Sequence, residues 1–183
     1  MSCLRIQAWW VWLAVGLLAG LAIGGLVPDT PLHAFATDRV DNIALATGPV
    51  DWQEGIEAMY FLDFDTGSLK AAVVSNATKG FQAYYAVNIR ADLMAAAQRA
   101  GVQLPSQPRY MMVTGLVDIR RGGASQKLPA RGAIYVAEAN TGIVLVYVIP
   151  WSPQAHASNQ PVVDSLVLWA SDRFSTAVVR DMQ

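Results

Sequence analysis

The chain offers one tripeptide whose residue types suit acid–base chemistry, Asp65-Thr66-Gly67, flanked by Phe64 and Ser68. A carboxylate held at such a tight turn can work with a second one. The two share a proton, one activates water and the other protonates a carbonyl. A single chain must then carry the motif twice. At an offset of 75 residues it returns as Asn140-Thr141-Gly142, where an amide replaces the carboxylate. The echo runs further than the triplet. Ala58 falls on Ala133, Tyr60 on Tyr135, Asp63 on Glu138, Thr66 on Thr141 and Gly67 on Gly142. What it keeps is turn chemistry: Asp bonds main-chain N–H groups two residues on, and Gly takes positive φ. What it drops is what proton transfer needs. Asp63 and Asp65 therefore read first as turn residues.

Other reactive residue types are sparse. Cys3 is the sole cysteine, which excludes an intrachain disulfide and a cysteine-based zinc site. His33 and His156 lie far apart with no ligand spacing, and read as surface or loop residues. Asp51, Glu54 and Glu57 form an acidic stretch, but a calcium loop needs more oxygens in a fixed order. Val50–Glu57 reads as a solvated connection. Arg121-Gly122-Gly123 lacks the lysine and the strand–loop–helix frame of a phosphate loop. No Gly-x-Ser-x-Gly elbow occurs. The net charge of −1 is no footprint for nucleic acid. No metal and no cofactor is expected. One basic stretch stands out: Arg120, Arg121, Lys127 and Arg131, in a loop read as Arg120–Gly132, suit an anionic envelope polymer or protein partner.

The elements that hold these residues follow from periodicity and punctuation. Ala8–Val27 is a 20-residue stretch without charge, and a spanning helix needs about 20. Trp9, Trp10 and Trp12 crowd one end, and Arg5 precedes it, which predicts a cytoplasmic N-terminus. The expected order is a tail over 1–7, a transmembrane anchor over 8–27, a linker over 28–40 and an extracytoplasmic domain over 41–183. The rival reading is a cleaved signal, with Ala34-Phe35-Ala36 as its site, which would release the domain. Gly16, Gly20 and Gly24 fall four apart and form a groove for a second helix, so a homo-oligomer is expected.

In the domain, Asn42–Thr47 reads as a strand stopping at Gly48-Pro49. Met59–Leu62 and Leu69–Val74 form a hairpin about the Asp63–Ser68 turn, and Phe81–Val87 follows as a third strand. Arg90–Ala100 is a helix: Asn88 caps it, Asp92 suits its first turn and Gly101 its stop. Leu93, Met94 and Ala97 are its core stripe. Arg109–Ile119 is a strand in which Gly115 suggests a bulge. Ala133–Pro150 is the second hairpin; Ile143–Ile149 is apolar enough to be covered on both faces. Ser152–Pro161 reads as loop and Leu166–Trp169 as a last strand. The fold class is α+β: an antiparallel sheet of about six or seven strands with one packed helix, after a single N-terminal transmembrane helix.

Three resemblances bear on function. Phe64–Ser68 resembles the hydrophobic-Asp-Thr-Gly-Ser signature of pepsin-like aspartic proteases, over about five residues. Tyr-x-x-Asp-x-x-Thr-Gly-x-Leu is similar to the repeat of β-propellers, but a propeller closes with about four blades or more, and this chain is too short for that. From Ala36 to Trp151 the order of motifs resembles an uncharacterised family of anchored or secreted proteins of planctomycete-type bacteria. It rests on Ala36-Thr37-Asp38-Arg39, Ala46-Thr47-Gly48-Pro49-Val50, Tyr60-Phe61-Leu62-Asp63, Arg109-Tyr110-Met111-Met112-Val113-Thr114-Gly115, Tyr135-Val136-Ala137-Glu138 and Tyr147-x-x-Pro150-Trp151. That resemblance implies export and a shared fold, and no catalytic residues. The expectation is a non-catalytic, membrane-anchored binding or assembly protein of the bacterial envelope. The alternative is an exported hydrolase or ligand-binding enzyme whose site converges only in three dimensions.

Overall fold

The computed structural model describes residues 12–18, 37–51, 54–75, 77–117, 119 and 128–174. The chain divides into two units, Met1–Ala34 and Phe35–Gln183. In the first, residues 12–18 are helical. The rest of the expected span, with Gly20 and Gly24, lies outside the described residues. Among the described residues no helix is long and apolar enough to cross a membrane. Gly16 has nothing within 4 Å of the place a Cβ would take.

Among its described residues the second unit holds ten strands in two sheets, not six or seven in one. The first sheet takes β1 (Thr37–Val40), β2 (Ile43–Asp51), β3 (Ile56–Asp63), β4 (Ser68–Ser75) and β5 (Gly80–Asn88) in order, then β9 (Val162–Ser165). The second runs β10 (Val167–Arg173), β8 (Ile143–Trp151), β7 (Leu128–Glu138), β6 (Tyr110–Leu116). Every pairing is antiparallel except β5 with β9. The extra strands are short. β1 falls in the stretch read as linker, β9 precedes the predicted last strand Leu166–Trp169, and β10 begins one residue into it and runs on to Arg173. Leu166 is buried, its N–H donates to Ala86 O, and there the chain passes from one sheet to the other.

The sequence echo proves to be a repeat of four strands. β2-β3-β4-β5 and β6-β7-β8-β10 are the same meander. Ile43 opposes Asp63 as Tyr110 opposes Glu138, and Ser68 opposes Asn88 as Ile143 opposes Arg173. Gly67 O accepts from Ile89 N at 2.9 Å, and Gly142 O from Phe174 N at 2.7 Å. Thr66 O accepts from the Asn88 side chain, and Thr141 O from the Arg173 side chain. The repeat also includes Thr47-Gly48 and Thr114-Gly115. Gly48 opposes Ala58 and Gly115 opposes Ala133, and the rings of Tyr60 and Tyr135 lie over the two glycines. Gly115 is thus in regular register and no bulge forms there; the glycine makes room for a ring.

The two copies bury opposite faces. Ala58, Tyr60 and Leu62 point into the core from β3, whereas Ile134, Val136 and Glu138 do so from β7. With a side-chain period of two, equivalent positions then face opposite ways. Tyr60 is buried and Tyr135 half-buried; Glu138 is buried and Asp63 reaches solvent. β8, expected to be covered on both faces, leaves Val144 and Val146 half-exposed for the same reason.

β2 is where the sheets meet. It does not stop at Gly48-Pro49; it bulges between Pro49 and Asp51 and carries on. The bulge accommodates a proline that has no N–H for the ladder. Val50 and Asp51 are buried, so the start of the supposed acidic connection is core. The Thr114 hydroxyl donates to Thr47 O, and Gly132 lies against Pro49 O. Leu128–Gly132, read as loop, belongs to β7 with a shift in register between Pro129 and Ala133.

The helix α1 (Ile89–Arg99) forms as its punctuation demands. Asn88 accepts from Arg90 N at 3.0 Å, and Gly101 takes φ +65° past the C-cap. It buries Ile89, Leu93, Ala96 and Ala97. Met94 is the correction: it is 53% exposed. At about 100° per residue it sits beside the stripe rather than in it. The Tyr147 hydroxyl donates to Asp92 Oδ2 at 2.7 Å and ties α1 to β8; burial and this partner push the Tyr147 phenol far up. A short α2 (Pro153–Ala157) occupies the predicted loop, and His156 on it stacks on Trp151 at 5.1 Å, half-buried rather than free.

Candidate functional site

The two turns use up the carboxylates that the sequence singled out. Asp63 Oδ1 accepts from Asp65 N at 2.9 Å and Thr66 N at 3.2 Å. The Thr66 hydroxyl and these amides hold its carboxyl below the usual range. Glu138 Oε2 accepts from Thr141 N and Thr141 Oγ1, both at 2.7 Å. Its Oε1 accepts from Arg109 N at 3.1 Å, Asn140 N at 3.2 Å and Asn140 Nδ2 at 3.0 Å. Burial pushes the Glu138 carboxyl up, but the bonds from Thr141, Arg109 and Asn140 outweigh it and hold it below the usual range. Gly67 and Gly142 close the turns at φ +67° and +73°. Asp65 Oδ2 accepts from Asn42 Nδ2 at 2.9 Å. Among the described residues no pair of free carboxylates lines one cavity, and the Asp-Thr-Gly run does a turn's work.

Asp65 does line a cavity, with cations rather than acids. A cleft of about 610 Å³ opens beside the first turn. Arg39 at the end of β1, Arg90 in the first turn of α1 and Arg109 just before β6 project into it. Among the described residues the Arg39 and Arg90 guanidinium groups bond to main-chain oxygens, not to carboxylates. Arg39 Nη1 donates to Tyr110 O at 3.2 Å while its plane lies 4.7 Å over the Phe64 ring. Arg90 Nη2 donates to Asp65 O. The Arg109 side chain bonds to nothing among the described residues. Phe64 and Tyr110, with ring centroids 5.8 Å apart, make the floor. Three arginines against Asp65 leave the cleft cationic. The α1 N-terminus, where main-chain N–H groups favour anions, lies at its wall.

Tyr110 is the unusual member. It is 1% exposed, and among the described residues its hydroxyl makes no hydrogen bond of good geometry, although the Arg90 guanidinium lies close by. A buried hydroxyl without a partner costs about 1–3 kcal/mol. Burial pushes its phenol up, and the nearby Arg90 guanidinium partly offsets this. The geometry suits an oxyanion: fork-shaped donors on several sides and a hydroxyl in reserve.

The expected basic site is placed only in part. Arg131 lies in β7, with its main-chain oxygen accepting from Val117 N. Arg120, Arg121 and Lys127 lie outside the described residues, as does His33. Arg39, Arg90 and Arg109 were missed because they are scattered over three elements and only the topology gathers them. Arg39 and the Arg109-Tyr110 pair do stand in the motifs quoted above, which is the one signal that marked them.

A second concavity of about 250 Å³ lies on the outer face of the first sheet, lined by Met59, Phe61, Tyr84 and Val163. It is almost wholly apolar and has little to orient a ligand. Among the described residues no three His, Cys, Asp or Glu side chains converge as metal ligands would. No family model, no curated protein and no solved structure matches this chain.

Proposed function

We propose that the chain is a membrane-anchored, extracytoplasmic binding protein of the bacterial envelope, whose arginine cleft receives an anionic group. The observation that carries the reading is the cleft itself: Arg39, Arg90 and Arg109 converge, and among the described residues no carboxylate is paired to any of them. Cations left unpaired repel one another unless an anion joins them. The uncharged Ala8–Val27 stretch supports the anchor, and the motif order shared with the planctomycete-type family supports export. The N-terminus is then cytoplasmic, and the anchors pair through Gly16, Gly20 and Gly24.

Two measurements test this. Full-length protein in nanodiscs, titrated with acetate and with inorganic phosphate, is expected to bind at least one of them. Arg109→Ala is expected to weaken that binding about tenfold and leave the melting temperature unchanged, because its side chain supports no fold contact. Equal binding by the variant would remove the cleft from the proposal. For the anchor, Gly20→Leu is expected to reduce crosslinked dimer in membranes several-fold. An unchanged dimer yield would sink the glycine groove.

A further inference from the structure

We propose that the ligand is an amphiphile, with its oxyanion head among the arginines and a hydrocarbon tail in an adjoining groove. This rests on the reading of the cleft as an anion site. A concavity of about 370 Å³ runs on from the arginine cleft and shares Arg90, Ser106, Pro108 and Tyr110 with it. Beyond that shared wall its character changes. Leu93 and Met94 line it from α1, and Leu104 and Pro105 from the following loop. No charged side chain other than Arg90 lines it. A cavity that is cationic at one end and apolar at the other matches a molecule with the same division.

Two side chains that the fold alone does not explain fall at the right places. Met94 leaves the core stripe and lies 53% exposed along the groove. Methionine is flexible and polarizable, and adapts to chains of varied shape. Tyr110 stands in the shared wall, its buried hydroxyl without a hydrogen bond of good geometry. That hydroxyl is sealed from solvent, so a head-group oxygen at the junction would accept its proton, and relieve that cost, only after a shift of the wall. An inorganic anion would fill only the mouth and leave Met94 and Leu104 unused. Carboxylate and phosphate heads share this chemistry.

The test is a chain-length series on the full-length protein in zwitterionic nanodiscs, with empty nanodiscs as blank and every probe below its micelle concentration. Acetate, butyrate, hexanoate and octanoate are titrated, then octyl phosphate and octanol. Affinity is expected to rise about twofold per CH₂, half the effect of full burial. Octanol is expected to bind at least tenfold more weakly than the better anion, and the tighter of octanoate and octyl phosphate identifies the head. Met94→Gln, a neutral polar change at an exposed position, should flatten the rise of affinity with chain length. Arg109→Ala should lower every member by a similar factor. A flat series with acetate or phosphate still bound overturns the tail site and leaves the anion site standing. No binding by any anion overturns both. An acidic peptide such as hexaglutamate binding more tightly than octanoate also overturns the amphiphile.

Discussion

Gly132→Ala is expected to lower the stability of the domain by about 3 kcal/mol or more, and its melting temperature by roughly 10 °C. A Cβ at Gly132 would stand 1.9 Å from Pro49 O and 3.0 Å from Pro49 C. Both are main-chain atoms, so no rotamer change relieves the clash; β2 and β7 must separate. That separation opens a junction between the two sheets, with Gly48 packed on Thr114 a short way along the same strand. The backbone at Gly132 is not in the left-handed region, so the loss is steric. Gly55→Ala is the control. Gly55 has φ +65° with nothing within 4 Å of its would-be Cβ, so alanine there costs about 1 kcal/mol through conformation alone. Urea unfolding of the two variants separates the cases. If Gly132→Ala falls no further than Gly55→Ala, the sheets do not meet as described.

Glu138→Gln is expected to destabilise the domain by about 3 kcal/mol at neutral pH, although it changes one atom and one charge. The carboxylate receives five donors from Arg109, Asn140 and Thr141 and is 1% exposed. An amide must point its NH₂ at N–H or O–H groups on one side or the other, leaving donor against donor. The loss has a pH signature. The folded-state pKa is held below the unfolded value, so the folded state resists protonation more than the unfolded chain does. The stabilisation is fully present above the unfolded glutamate pKa of about 4.3 and is lost as pH falls through the folded pKa. The gap between wild type and variant should narrow below about pH 4. A gap that stays constant from pH 7 to pH 3 would show that the charge is not what the turn holds. Asp63→Asn, at the equivalent but solvent-facing turn, should lose less.

These two positions show what could be read from the chain and what could not. The helix was legible because its signals are local: Asn88, Asp92 and Gly101 act within a turn of where they stand. The hairpins were legible for the same reason, and both turns close as their Asp or Glu, Thr and Gly require. Gly132 was not, because nothing near it in sequence says that Pro49 will lie against it. Met94 misled because its type suits a core and its angle on the helix does not. Gly115 suggested a bulge where the demand came from a ring two residues along the partner strand. The arginines were invisible as a group, since each belongs to a different element and only the pairing of β1, α1 and β6 around one end brings them together. The Asp65 motif was legible as a turn; its place at the rim of a cationic cleft was not. Placement of the N-terminal segment and the basic residues at 120, 121 and 127 rests on sequence pattern alone.

The passage of the chain at Leu166 has a kinetic consequence. β2 to β5 and β6 to β8 each pair with the next strand along the chain, so their contacts are local ones of the kind that form early. β9 and β10 are different. β9 pairs with β5 and β10 with β8, so one short segment after residue 161 completes two sheets at once. Until it arrives, β5 and β8 both present open edges able to pair with another chain. The segment works as a clasp: one short run of chain covers the open edges of β5 and β8 together and leaves the short strands β9 and β10 at the margins of the two sheets.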